Sequence, residues 1–197
     1  MSAASVERPH GDRPLIAEAN RLMDRNPGYR VEIIGGQILV TPPPDGPHGE
    51  ALMDLALVLS EAGLHRAGSK IIPGLGIWLP GTEDYAIPDL SLVDADYRDH
   101  RAENGCYAPV CFRLVLEVTS SNWKTDLRYK VKAYAAAKVP VYLIVDRHHQ
   151  RLHVLSDPAG DGYENHRPYS PGEVAPLPRS IGTDVTVDVA AILEAGR

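Results

Sequence analysis

Three side chains stand where they could do metal-assisted chemistry: Asp89 in "AIPDLSLV", Glu117 in "RLVLEV" and Lys130 in "KTDLRYKVKAYAAAK". Glu117 lies in a run, residues 112–118, that reads as a buried strand, where an ionised carboxylate is costly unless paired. Alternate residues of a strand face opposite ways. Phe112, Leu114, Leu116 and Val118 are therefore expected on one face, with Arg113, Val115 and Glu117 on the other. Arg113 and Glu117 would then be about 13 Å apart, too far to neutralise each other, so another cation is needed if Glu117 is buried. Asp89 poses the same problem. Leu90 and Leu92 point one way, and Asp89, Ser91 and Val93 the other. Pro88 cannot donate a ladder hydrogen bond, which starts this strand there or puts it at an edge. If the two strands are neighbours, the carboxylates converge. Two hard oxygen ligands with room for water suit Mg²⁺ or Mn²⁺.

The next helix carries a core stripe of Leu127, Val131 and Tyr134. Lys130 lies about 60° around the helix from Leu127, on the border of that stripe. A border lysine can lay its stem along the core and project its ammonium over the sheet, where it could polarise a metal-bound water or balance charge developing on a phosphate. Asp126, four residues earlier, is placed to orient it. Each residue also has a plainer reading. Asp89 could cap a turn, Glu117 could pair with a neighbouring lysine or face solvent, and Asp126 with Lys130 could be a surface pair worth a few tenths of a kcal/mol.

Residues 1–14 read as a loose tail and 15–197 as one domain. A helix is expected over about 14–25, ended by "NPG". "YRVEII" and "QILVTPPP" form a hairpin around Gly35-Gly36, closed off by the prolines 42–44. "PHGEALMDLALVLSEAGLHRAG" is an amphipathic helix. "GLGIWLP" and "AIPDLSLV" are β-like segments, with "GTEDY" as the turn between them. After the strand 112–118 come a helix over about 124–138, the strand "VPVYLIVD", the hairpin "RLHVLSD … GYENHRPYS" and a short helix near 187–195. This order gives a mixed α/β or α+β fold, not a regular doubly wound sheet.

The chain has 197 residues, 44% of them hydrophobic, enough for one sizeable core. No apolar run is long enough to span a membrane, and the N-terminus lacks the apolar block of a signal peptide, so the cytoplasm is the expected location. Cys106 and Cys111 fit neither a zinc pattern nor a disulfide framework. The balance of 20 Lys and Arg against 26 Asp and Glu leaves a net charge of −6. That disfavours tight nonspecific binding to nucleic acid except through a local basic patch or a metal.

Taken in order, "PDLSLV", a polar loop, "RLVLEVTSSN", an Asp and a Lys four apart, an alanine-rich helix end and "VPVYLIVD" resemble the PD-(D/E)XK nuclease superfamily. More narrowly, they are similar to its restriction endonuclease branch common in bacteria, in which the lysine of the motif has moved from the strand to the next helix. Thr119 stands where the superfamily name calls for lysine, and Lys130 matches the migrated one. The resemblance covers roughly 28–156. The stretch "YRVEIIGGQILVTPPPDGPHGE" resembles the family's opening hairpin, with Glu32 and His48 at matching places and Gly35 and Gln37 where acids are common.

The resemblance implies a restriction-endonuclease-like core, a central mixed β-sheet flanked by helices with an N-terminal β-hairpin. It implies Asp89 and Glu117 as ligands of Mg²⁺ or Mn²⁺, Lys130 as the assisting cation, and hydrolysis of DNA phosphodiesters. Glu32, His48 and Asp126 would support the site. Glu32 could equally face solvent from the hairpin, and His48 could be structural. A homodimer is expected by analogy, because cutting both strands takes two sites. Two rivals remain: a catalytically silent nucleic-acid-binding or interaction module of the same fold, and a metal-dependent hydrolase of a smaller phosphodiester.

Overall fold

The computed structural model describes residues 13–66, 68–81, 83–120 and 125–197, with the main chain alone at 125 and 126. The expected N-terminal tail lies almost wholly outside these residues. The described chain opens with α1 (Pro14–Arg25) and the hairpin β1 (Arg30–Ile34) and β2 (Gln37–Thr41). Gly35 and Gly36 turn that hairpin at φ of 60° and 71°, the left-handed pair of a tight two-residue turn that glycine adopts without a Cβ clash. Both of their N–H groups donate to the Asp84 carboxylate, at 2.7 and 3.1 Å. Asp84 thereby locks the hairpin tip.

Then come α2 (Gly46–Glu61), β3 (Ser69–Pro73), β4 (Ile77–Trp78), β5 (Tyr85–Ala86), β6 (Leu90–Asp94), β7 (Phe112–Val118) and α3 (Val131–Ala136). The chain closes with β8 (Val141–Asp146), β9 (Arg151–Ala159), β10 (Gly162–Tyr169), β11 (Val174–Pro176), β12 (Thr186–Asp188) and α4 (Val189–Ala195). β3 and the small β11–β12 pair go beyond the strands expected from sequence: "SKIIP" is short and ends in a proline, and three-residue strands carry no readable alternation. "AIPDLSLV" is split at Pro88 into β5 and β6, which belong to different sheets.

A mixed six-stranded sheet runs β10-β9-β8-β7-β6-β3, antiparallel except for the parallel pair β7–β8. A four-stranded antiparallel sheet runs β2-β1-β5-β4. One face of the large sheet packs Leu90, Leu92, Leu114 and Leu116 against Leu55 and Leu59 of α2 and Ile192 and Leu193 of α4. The opposite face buries Val115, Tyr142 and Ile144 beneath Tyr134 of α3. The alternation expected for 112–118 breaks at one point. Leu92 faces Leu114 but Val93 faces Phe112, so Arg113 is the extra residue of a β-bulge. Phe112 therefore joins Val115, not Leu114. Arg113 turns to Asp94, at 2.7 Å, and to the carbonyls of Gly68 and Ile181, at 3.0 and 3.4 Å.

The helix expected over 124–138 is in two parts. A π-helical turn, Thr125–Lys130, precedes α3. Such a turn widens the helix by one residue and shifts the phase of the turns after it. Lys130 accordingly points fully inward, 3% exposed, and not along the border of the stripe. No helix among the described residues is long and apolar enough to cross a membrane.

Candidate active site

Leu90 of β6 pairs with Leu116 of β7, so Asp89 and Glu117 fall side by side where the two antiparallel strands begin and end. Both are buried, as are Glu32, His48 and Lys130. β1 brings Glu32, the first turn of α2 brings His48, and the π-helical turn brings Lys130. The Asp126 side chain lies outside the described residues.

Each of the three carboxylates has one oxygen anchored by a fixed donor. Asp89 Oδ2 accepts from the Val118 N–H at 2.7 Å, and Glu32 Oε1 from the Ile87 N–H at 2.7 Å. Glu117 Oε1 accepts from Lys130 Nζ at 2.7 Å and from the Tyr134 hydroxyl at 2.8 Å. The other oxygens face cations: Glu32 Oε2 lies 3.3 Å from Lys130, Asp89 Oδ1 lies 2.7 Å from Arg30, and Glu117 Oε2 lies 3.8 Å from Arg30. Among the described residues, the cations that a buried Glu117 demands are Lys130 and Arg30. Such compensation by fixed donors and opposite charges is what makes a buried ionic cluster tolerable.

Burial opposes ionisation of Asp89. The neighbouring His48 and the charges of Arg30 and Lys130 outweigh it and hold the carboxyl well below its usual range. His48 Nε2 lies 3.2 Å from Asp89 Oδ2, though off the line of a straight hydrogen bond. Burial likewise opposes the Arg30 charge, and Asp89, Glu117 and Glu32 together overcome it, so the guanidinium is held more firmly protonated than usual. Burial, reinforced by Glu117 and Glu32, pushes the Tyr134 phenol well above its ordinary value and keeps it a donor.

His48 is held by its own main chain. Asp45 caps α2 by accepting from the His48 N–H at 2.8 Å, and it also receives Arg147 in a forked contact at 3.0 and 3.1 Å. Arg147 N donates to Thr119 Oγ1 at 2.9 Å, tying the end of β7 to that of β8. Thr119 therefore spends its hydroxyl on the frame. Asp146 closes the turn after β8 by accepting from the N–H groups of His148 and His149, at 3.1 and 3.0 Å. This is a structural cap of the kind an acid at a strand end supplies.

A narrow cavity of about 160 Å³ holds Arg30, Glu32, Asp89, Glu117 and Lys130. It adjoins a wider groove of about 790 Å³ bordered by Arg30, the prolines 42–44, His48, Ser120 and Arg147. Among the described residues no group of three His, Cys, Asp or Glu side chains is arranged to hold a metal. Two carboxylates do fit a hard divalent ion completed by water. Asp89 Oδ1 and Glu117 Oε2 are hard donors turned toward one cavity, and what meets them there is the partly exposed guanidinium of Arg30.

Sequence reasoning missed two members of the site. Arg30 carries no motif and opens β1, and it reaches the site only because the small sheet leans on the large one. Tyr134 sits in the apolar stripe and is buried as that stripe predicts, yet its hydroxyl ends on Glu117.

A family model described as "Uma2: Putative restriction endonuclease" matches residues 16–190. Among solved structures, a protein from Anabaena variabilis described as a "putative nuclease belonging to DUF820" is similar in fold. Its TM-score is 0.62 at 17% identity, over 83% of this chain and 90% of that one. No curated protein matches in sequence.

Proposed function

The chain belongs to the Uma2 family, and from that premise we propose that it is a Mg²⁺- or Mn²⁺-dependent endonuclease that hydrolyses DNA phosphodiester bonds. The observation that carries this reading is the convergence of Asp89, Glu117 and Lys130 on one cavity, with one oxygen of each acid anchored and the other facing inward. Asp89 and Glu117 would hold the metal. A bound divalent ion would lower the pKa of a coordinated water and offset charge on the scissile phosphate. Lys130 fixes Glu117 and supplies a buried ammonium beside the phosphate's position. Tyr134 keeps Glu117 from turning.

The wider groove leads to this cavity past Arg30, Arg147 and Ser120. Arg30 and Arg147 give an acidic protein a local cationic approach for a phosphate backbone, with Ser120 as a neutral polar group beside them. Asp126 is assigned the supporting role of orienting Lys130. Cleavage of both strands is most simply done by a homodimer in the cytoplasm, with one site per subunit.

A second reading, hydrolysis of a smaller phosphodiester, is favoured by the net charge of −6 and by the small size of the acid-lined cavity. Supercoiled plasmid and bis(p-nitrophenyl) phosphate, each incubated with Mn²⁺ and with wild type, Glu117→Gln or Lys130→Met, distinguish the two. Nicking by wild type alone supports the nuclease. Turnover of the small ester with plasmid left intact moves the substrate to the second reading. Neither activity leaves the silent binding module, and light scattering on the same samples reads the dimer.

A further inference from the structure

Arg30 borders both the narrow cavity and the wide groove. Its Nη2 lies 2.7 Å from Asp89 Oδ1 and its Nη1 3.8 Å from Glu117 Oε2. Those are the oxygens of Asp89 and Glu117 that the fixed donors leave turned inward. An ion such as Mg²⁺ sits about 2.0–2.1 Å from its oxygen ligands, which is space the guanidinium fills. A metal held by these oxygens would compete with the guanidinium for them.

We propose that Arg30 is a removable counter-ion: it neutralises Asp89 and Glu117 until a divalent metal displaces it into the wider groove, where it takes a phosphate oxygen of the substrate. This rests on the metal-dependent nuclease reading and adds an exchange that couples metal binding to substrate binding.

The movement is mechanically cheap. Arg30 is the first residue of β1, and its main chain stays paired with Thr41, which also borders the groove. The side chain is 24% exposed, whereas those of Asp89 and Glu117 are 3% exposed. Rotation of a long, partly solvated stem therefore suffices, and the acids need not move. Charge gives the order of events. Among the described residues three carboxylates, Glu32, Asp89 and Glu117, face two permanently charged cations, Arg30 and Lys130, so acids are in excess. That balance repels a phosphodiester. A divalent ion in exchange for Arg30 leaves the cavity balanced, with the Arg30 charge released at the groove's edge to meet the anion. Substrate then binds well only after metal.

The test is a calorimetric titration of Mn²⁺ into wild type, Arg30→Gln and Arg30→Lys without nucleic acid, followed by plasmid cleavage on the same samples. Arg30→Gln is expected to bind Mn²⁺ about tenfold more tightly, because a competitor for the acids is removed. Arg30→Lys, still cationic, should fall between. At saturating Mn²⁺, Arg30→Gln should raise KM for plasmid about fivefold, the loss of a binding contact. A merely structural role would weaken both. If Arg30→Gln is destabilised, the Mn²⁺-induced rise in its Tm, expected to exceed that of wild type, reads the same affinity.

Unchanged or weaker Mn²⁺ binding by Arg30→Gln, with plasmid still cut by wild type, overturns the exchange and leaves the nuclease reading standing. Tighter binding with plasmid untouched by wild type supports the exchange and removes DNA as substrate. Mn²⁺ bound by none of the three overturns both.

Discussion

Glu117 Oε1 accepts from two donors at once, the Lys130 ammonium at 2.7 Å and the Tyr134 hydroxyl at 2.8 Å. One oxygen of a buried acid is thus immobilised, and the other is aimed by default. The two donors differ in kind. Lys130 balances the charge, while Tyr134, kept protonated by burial and by the neighbouring acids, contributes direction.

Tyr134→Phe separates these roles. The ring keeps its edge contact with Tyr142, at 4.9 Å between centroids, so packing survives and a single donor is lost. We expect a loss of about 1–2 kcal/mol, seen as a fall of roughly 4 °C in Tm, with Mn²⁺ affinity and plasmid nicking both reduced. An unchanged Tm together with unchanged nicking would remove Tyr134 from the site.

Lys130→Met should be far more damaging, because it strands Glu117 and Glu32 in one cavity. Breaking a buried pair from one side costs about 3–5 kcal/mol, measurable by urea unfolding. Adding Glu117→Gln to the same chain should recover part of that loss, with a coupling of about 1–3 kcal/mol. Strict additivity would mean that the 2.7 Å contact contributes nothing.

The sequence made Asp89 and Glu117 legible because alternation along a strand is insensitive to everything but register, and Leu90 opposite Leu116 supplies that register. Alternation failed at Arg113, where a bulge inserts one residue and sends Phe112 to the other face; nothing in "CFRLV" announces it. Lys130 was visible by helical period but misplaced by one border position, since the π-helical turn changes the period itself. Arg30 was invisible because its partners lie 59 and 87 residues away in another sheet, a relation no local pattern encodes. Tyr134 was read as core, and it is core; what the stripe could not say is where a buried hydroxyl finds its acceptor.

Asp45→Ala should act at a distance from the acids. It removes the cap of α2 and the forked partner of Arg147 together. Loss of a cap costs about 1 kcal/mol. Because the same N–H belongs to His48, that side chain should loosen against Asp89. We expect Tm to fall by a few degrees and nicking to fall with it. Asp45→Asn, which can still cap, should restore the helix but not the Arg147 contact. Equal losses in the two variants would make the cap irrelevant.

The pH dependence of stability should come from the β9–β10 hairpin. His153 Nδ1 lies 2.9 Å from His166 Nε2, a contact two neutral rings make and two charged rings cannot. Burial, then the proximity of His166, lowers the His153 pKa below its ordinary 6.5, with His149 acting the same way and Asp146, 3.5 Å from Nε2, acting against them. Burial lowers His166 likewise. Asp146, itself held below its usual range, stays ionised near neutrality and adds no slope there. A group whose folded pKa is depressed takes up its proton more readily when unfolded. Its contribution is therefore complete above about pH 6.5 and is lost as the pH falls through the folded value. Urea midpoints measured from pH 8 down to pH 5 should fall below about pH 6.5, and His166→Asn, which removes one titrating ring and relieves the other, should flatten that fall. The same slope in His166→Asn as in wild type would place the acid sensitivity elsewhere in the fold.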